Sequence, residues 1–148
     1  MSMDREFFET TYEGYNLRVD RSCLYSMDEI WVRHDGELAI VGITDYLQMT
    51  SGEATFVDLP ALGSIVEKDE EAANIGMDGA AIGVRVPVSG TVVEINEDLE
   101  SSPDLVNSDA YGKGWLFKLE PGNWDDDIAE LLFPDAYLPV MLEKLSKR

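Results

Sequence analysis

One short pattern is written twice in this chain. Leu59-Pro60-Ala61-Leu62-Gly63-Ser64-Ile65-Val66-Glu67 returns as Val86-Pro87-Val88-Ser89-Gly90-Thr91-Val92-Val93-Glu94, twenty-seven residues later. In each copy a proline starts a turn, a glycine permits positive φ and a β-branched pair supplies a short strand. A tandem turn-strand unit predicts a mainly β body with quasi-twofold symmetry and helices at its periphery. Between the copies the chain must reverse at the far end of a sheet, and that reversal falls around Met77-Asp78-Gly79, at an exposed tip.

With 148 residues, 45% of them hydrophobic and 28% charged, the chain has the size of one domain with a buried core. Its formal net charge of −19, from 30 acidic against 11 basic residues, would repel a phosphate backbone and an anionic membrane. Nucleic acid and membrane are therefore not expected partners, whereas an acidic surface favours solubility and steers basic protein surfaces. Cys23 is the sole cysteine, so neither an intramolecular disulfide nor a thiolate zinc cluster can form. The start, Met1 to Phe8, mixes acids with aromatics and has no long apolar run, so neither a signal peptide nor a membrane helix is expected. These features suit a reducing, cytoplasmic location.

Residues 1–22 read as an arm with Phe7, Phe8, Tyr12, Tyr15 and Leu17 among acids, expected to dock on its own domain or on a partner. Residues 23–148 read as the domain proper. Glu29 to Val32 and Glu37 to Ile43 predict two strands joined at His34-Asp35-Gly36, since Asp-Gly readily takes positive φ. Thr44 is placed to cap a short helix over Asp45 to Ser51, which Gly52 stops. Ala54 to Leu59 reads as extended, Asp98 to Val106 as a short helical or irregular insertion, and Trp115 to Leu119 as a strand after the turn Tyr111-Gly112-Lys113-Gly114. Asp125 to Asp127 open a helical pattern with Ile128, Leu131 and Leu132 on one face, which Pro134 interrupts. A second helix follows over Asp135 to Lys147, with Tyr137, Val140, Met141 and Leu145 turned inward.

Familiar catalytic machinery is missing. His34 is the sole histidine and has no second one with which to hold a metal or relay a proton, and it is assigned to a turn. No nucleophile elbow, phosphate loop or dinucleotide fingerprint occurs. The runs Glu67, Asp69, Glu70, Glu71 and Glu94, Glu97, Asp98, Glu100 lack the ligand spacing of a calcium loop and read as solvated faces. Cys23 has only Arg21 nearby in sequence and reads as a spectator. No metal site and no catalytic residue is assigned.

At Gly42-Ile43-Thr44-Asp45-Tyr46, Phe56-Val57-Asp58-Leu59-Pro60 and Pro87-Val88-Ser89-Gly90, the chain resembles the H-protein family of the glycine cleavage system. The likeness continues through Ser102-Pro103-Asp104-Leu105-Val106-Asn107 and Tyr111-Gly112-Lys113-Gly114-Trp115-Leu116, and spans roughly Leu24 to Leu142. It implies a lipoyl-domain-like barrel-sandwich hybrid with a hairpin-tip lysine that bears lipoate. In the family that arm carries an aminomethyl group between the glycine-cleavage enzymes, so the protein presents a cofactor and is not itself an enzyme.

The family's modified stretch typically reads Glu-Ser-Val-Lys-Ala, with its lysine nineteen residues after the Leu-Pro proline and eight before the Pro-Val-Ser-Gly proline. Counted from Pro60 and from Pro87, both spacings meet at position 79, which is Gly79. The corresponding stretch is Gly76-Met77-Asp78-Gly79-Ala80, whose two glycines predict a permissive tip without a group to acylate. No bound cofactor is then expected. The resemblance implies a module that binds glycine-cleavage or lipoyl-handling enzymes and regulates or scaffolds them. The alternative is a functional aminomethyl carrier that uses a displaced lysine, such as Lys68 or Lys113, or lipoate held noncovalently.

Overall fold

The structure, a computed structural model, describes residues 6–148; Met1 to Arg5 of the arm lie outside the described residues. Eleven strands among the described residues form three open sheets. Strands β3 (Leu24–Tyr25), β4 (Ile30–Asp35), β5 (Leu38–Ile43), β7 (Ile65–Val66), β10 (Gly90–Ile95) and β11 (Phe117–Pro121) build a six-stranded sheet in the order β3-β4-β5-β11-β10-β7. Strands β6 (Ala54–Asp58), β8 (Glu71–Met77) and β9 (Ala80–Arg85) form a three-stranded sheet in the order β6-β8-β9. The arm is a hairpin of its own, β1 (Phe7–Tyr12) with β2 (Tyr15–Asp20).

The main core lies between the two larger sheets. Ile30 and Val32 of β4, Val41 and Ile43 of β5 and Leu119 of β11 meet Ala73, Ile75 and Met77 of β8 and Val84 of β9. Alternation along β4 and β5 sends Trp31 and Ile40 to the opposite face, where a second apolar cluster covers them. That cover consists of Leu17 and Val19 from β2 together with Tyr137, Met141 and Leu145 from the C-terminal helix. A sheet buried on both faces explains why Ile30-Trp31-Val32 is apolar without a break. Gly42 belongs to the same arrangement, because a Cβ there would lie 2.3 Å from Cζ2 of Trp31.

The two copies of the repeat lie side by side. β7 and β10 pair antiparallel, Ile65 opposite Thr91, and Gly63 N–H donates to the Val92 carbonyl at 2.8 Å while Val92 N–H donates to Ser64 at 2.9 Å. The glycines differ in role. Gly63 has φ +83°, as expected, but Gly90 has no positive φ; it is small because a Cβ would sit 2.4 Å from the Glu120 carbonyl oxygen. The copies are also out of phase: Val66, opposite Gly90, is buried and Ile65 exposed in one, whereas Val92 is buried and Val93 exposed in the other, with a bulge following between Val92 and Glu94.

The connections refine several boundaries. β4 runs through His34 to Asp35 and turns at Gly36, φ +65°, so His34 is a strand residue whose ring stacks on Trp124 at 4.0 Å. Thr44 caps α1 (Asp45–Ser51) by accepting from Leu47 N–H at 3.1 Å, and Gly52, φ +96°, ends it. The insertion resolves into two single turns, α2 (Asp98–Ser101) and α3 (Leu105–Ser108). The pattern expected from Asp125 is shorter than anticipated: α4 (Trp124–Asp127) passes into a 3-10 turn over Ile128–Glu130. Leu132 is extended and bridges Tyr25, its N–H donating to the Tyr25 carbonyl at 2.8 Å. Pro134 does not interrupt a helix but begins one, α5 (Pro134–Ser146), where its missing N–H costs nothing.

Helix α5 is fixed by a polar clamp as well as by its apolar face. Glu29, held at φ +67° and nearly buried, accepts from Thr44 Oγ1 at 2.8 Å, from the Tyr137 hydroxyl, and from Lys144 Nζ at 2.7 Å. One carboxylate thus joins the turn before β4, the cap of α1 and the last third of α5. Burial pushes the hydroxyls of Tyr25, Tyr111 and Tyr137 far above the usual phenol range, so this aromatic cluster is neutral in the folded protein.

Candidate functional site

Strands β8 and β9 meet in a two-residue turn, with Met77 opposite Ala80 and Asp78-Gly79 between them. Asp78 has φ +49° and Gly79 φ +83°, the pair of left-handed conformations that lets a tight hairpin follow the twist of its strands. The aspartate tolerates that region and the glycine favours it. A Cβ at Gly79 would meet nothing within 4 Å, so the second residue of the apex faces open space.

The strands below the apex are anchored. Ala73, Ile75 and Met77 point into the main core, all at 2% exposure or less. On the other face of β8, Gly76 lies opposite Phe56 of β6, and a Cβ there would be 2.1 Å from the Phe56 ring. Gly76 is therefore a packing glycine covered by an aromatic ring and not a second permissive position of the tip, a correction to the expectation from the sequence. Asp78 N–H donates to the Glu53 carbonyl at 3.2 Å, and Gly52 approaches so closely that a Cβ would lie 2.6 Å from Cβ of Asp78.

Asn107 braces the segment on which the tip rests. Its side-chain oxygen accepts from Ala54 N–H at 2.8 Å, and its amide donates to the Gly52 carbonyl at 2.8 Å and to Gln48 Oε1 at 3.2 Å. The sequence placed Asn107 in a motif without a role, because the three groups it joins are more than fifty residues away.

The lysines are elsewhere. Glu71 to Arg85 contains none, and the chain has five in all. Lys68 lies 3.4 Å from Glu130, Lys118 3.4 Å from Glu94, Lys144 2.7 Å from Glu29 and Lys147 3.1 Å from Glu143. Lys113 is exposed in the turn before β11, where its backbone N–H donates to Asp109 Oδ2 at 2.9 Å.

Other candidates converge on no chemistry. Cys23 is buried, with the Arg33 guanidinium 3.8 Å from its sulfur. Among the described residues no three His, Cys, Asp or Glu side chains are grouped to hold a metal ion, and no helix is long and apolar enough to cross a membrane. Asp45, at the start of α1, accepts from Arg18 N–H at 2.8 Å. Burial raises its carboxyl above the usual value, and the Arg18 contacts pull in the opposite direction.

Comparison with known proteins agrees with this architecture. The family model described as Glycine cleavage H-protein matches residues 23–144. A glycine cleavage system H protein of Carboxydothermus hydrogenoformans is 38% identical over 126 residues, covering 85% of this chain and 96% of the relative. One from Acinetobacter baumannii is 45% identical over 102 residues, covering 69% and 82%. The crystal structure of a glycine cleavage system H protein from Mycobacterium marinum superposes with a TM-score of 0.74 at 27% identity, over 81% of this chain and 96% of that one. By the family model over most of its length, and by relatives of 38% and 45% identity, this chain belongs to the glycine cleavage H-protein family.

Proposed function

We propose that this H-protein-family chain carries no covalent lipoate at its hairpin tip and works as a binding module for glycine-cleavage or lipoyl-handling enzymes in the cytoplasm, regulating or scaffolding them. The observation that carries the reading is the apex itself. The hairpin ends in a tight two-residue turn with an open apex, yet Gly79 stands at the position given by the family's spacing and neither strand has a lysine. Amide-linked lipoate needs a primary amine, and a glycine has no side chain to acylate. The residues at the tip therefore do not fit the family's cofactor.

Lysines outside the hairpin are poor substitutes. Four of the five sit in ion pairs within 3.4 Å, and Lys113 lies in a turn that the Gly79 hairpin does not include. The family is not catalytic in its own right, so what remains for the chain is recognition through its body.

Intact mass after co-expression with a lipoate ligase tests the first half: the unmodified mass is expected, and a lipoyl increment overturns the reading in favour of a displaced-lysine carrier. For the second half, glycine decarboxylation is reconstituted with a lysine-bearing H-protein and this chain is added in excess. A changed rate or direct binding to one enzyme is expected; no binding and no change of rate exclude the regulatory role.

A further inference from the structure

The family match begins at residue 23, so the β1–β2 hairpin stands before it. That hairpin is nevertheless built into the fold. Leu17 and Val19 are fully buried, and Arg18 reaches Asp45 at 3.8 Å and Asp109 at 3.7 Å, which aligns the hairpin's turn with α1 and with the loop after α3. Gly14 of the turn, with Tyr15 and Asn16 at the start of β2, then walls a cleft of about 520 Å³ whose floor is the α1 end and α3. Gly52, which packs against Asp78 of the β8–β9 turn, lines the same cleft.

We infer that this cleft receives a lysine side chain from a basic partner protein. The chemistry of its walls selects a donor. Both amide hydrogens of Asn107 are already given to Gln48 and Gly52, and Asn16 donates to Glu9, whereas the carboxylates of Glu53 and Asp104 have no basic partner among the described residues. No lysine or arginine lines the space. Gln48, Asn16 and Ser108 also bring donors to the lining, so the selection rests on the two carboxylates, which an ammonium group, with three donors and no acceptor, matches.

The shape suits the rest of such a side chain. Tyr15, half exposed, and Met49, half buried, offer an apolar surface along which a four-carbon stem can lie while its head meets Glu53 and Asp104. The long-range field acts in the same sense, since a net charge of −19 draws a basic surface in. The inference rests on reading the chain as a binding module and names the chemistry of what it binds; it does not depend on the state of residue 79.

The test uses the full chain labelled with 15N and a peptide, acetyl-Gly-Gly-Lys-Gly-Gly-amide, at low ionic strength. Saturable shift changes are expected at the amides of Asn16, Gln48, Met49 and Asn107. The Nε-acetylated peptide should bind about fivefold more weakly or worse, and added salt should weaken the lysine peptide. The double variant Glu53→Gln, Asp104→Asn should lose about fivefold in affinity with an unchanged Tm, because both carboxylates are exposed and unpaired. Tyr15→Ala, at an exposed position, gives a second variant with the same expectation. Equal binding of the acetylated peptide, shifts spread over acidic faces away from the cleft, or indifference to both variants overturns the inference. Because the peptide carries no lipoyl chemistry, such a failure leaves the mass measurement at the tip standing, and a lipoyl increment there leaves the cleft standing.

Discussion

Two hairpins of this molecule end in nearly the same turn and are put to different uses. Glu13-Gly14 joins β1 to β2 with φ +48° and +87°, and Asp78-Gly79 joins β8 to β9 with φ +49° and +83°. Both glycines face open space. What separates them lies in the strands. The first hairpin buries Leu17 and Val19 against the outer face of β4 and β5, beyond the reach of the family match; the second buries Ile75 and Met77 in the main core and lies within it. An acidic-glycine turn fixes only how the chain reverses, and the apolar face of the strands decides which part of the core the hairpin packs against.

The comparison breaks first at its anchors. Leu17→Ala should cost about 3 kcal/mol by urea denaturation, because a fully buried leucine leaves a cavity between β2 and α5. A loss below about 1 kcal/mol would mean that the first hairpin is only laid against the body. The second anchor of that region is the clamp: Glu29→Ala strips Tyr137, Thr44 and Lys144 of their shared acceptor and should cost about 2 to 3 kcal/mol in the same measurement.

Smaller effects test the apices. Gly79→Lys meets no steric obstacle but places a side chain in the left-handed region, so a loss of about 1 kcal/mol is expected. If the rest of the tip fits a lipoate ligase, that variant gains a lipoyl mass increment over the natural chain treated in the same way; a folded but unmodified variant would show that the rest of the tip is not recognised. Gly14→Ala and Gly79→Ala should cost nearly the same, about 1 kcal/mol each, if the two turns are equivalent. Unequal costs would break that equivalence.

The smallest effect concerns pH. A carboxyl whose folded-state value is raised contributes stability below its ordinary value of 3.8, and that contribution is lost as pH rises through the folded value. Asp45 therefore carries a penalty near neutrality. Asp45→Asn, which can still accept from Arg18, should show a flatter dependence of the urea midpoint between about pH 4 and 7 than the natural chain; an identical profile would assign the slope to other groups.

Much of the body was legible because its signals are local. The turn-strand repeat, the cap at Thr44 with its stop at Gly52, and the apex at Asp78-Gly79 each lie within a few residues of the structure they cause. The arm was not legible as a hairpin, since its inward residues, Leu17 and Val19, alternate with Arg18 and Asp20, buried or half-buried charges whose ion-pair partners, Asp45 and Arg33, are distant in sequence. Gly76 was misread for the same reason: the Phe56 ring that requires it belongs to another strand. Leu131 and Leu132 matched a helical face, but the backbone of Leu132 is taken by Tyr25. The tip was readable from spacing. The cleft beside it was not, because its walls come from three separated stretches.

The double cover of the six-stranded sheet has a consequence in time. Residues 7–20 are made well before α5, yet the surface that receives Leu17 and Val19 includes Tyr137 and Met141 of that helix. The hairpin must therefore wait for α5 before it can seat fully, with its aromatic and aliphatic side chains uncovered meanwhile. Closure of β1 and β2 against α5 makes seating a late event, one that reports that this helix has been made.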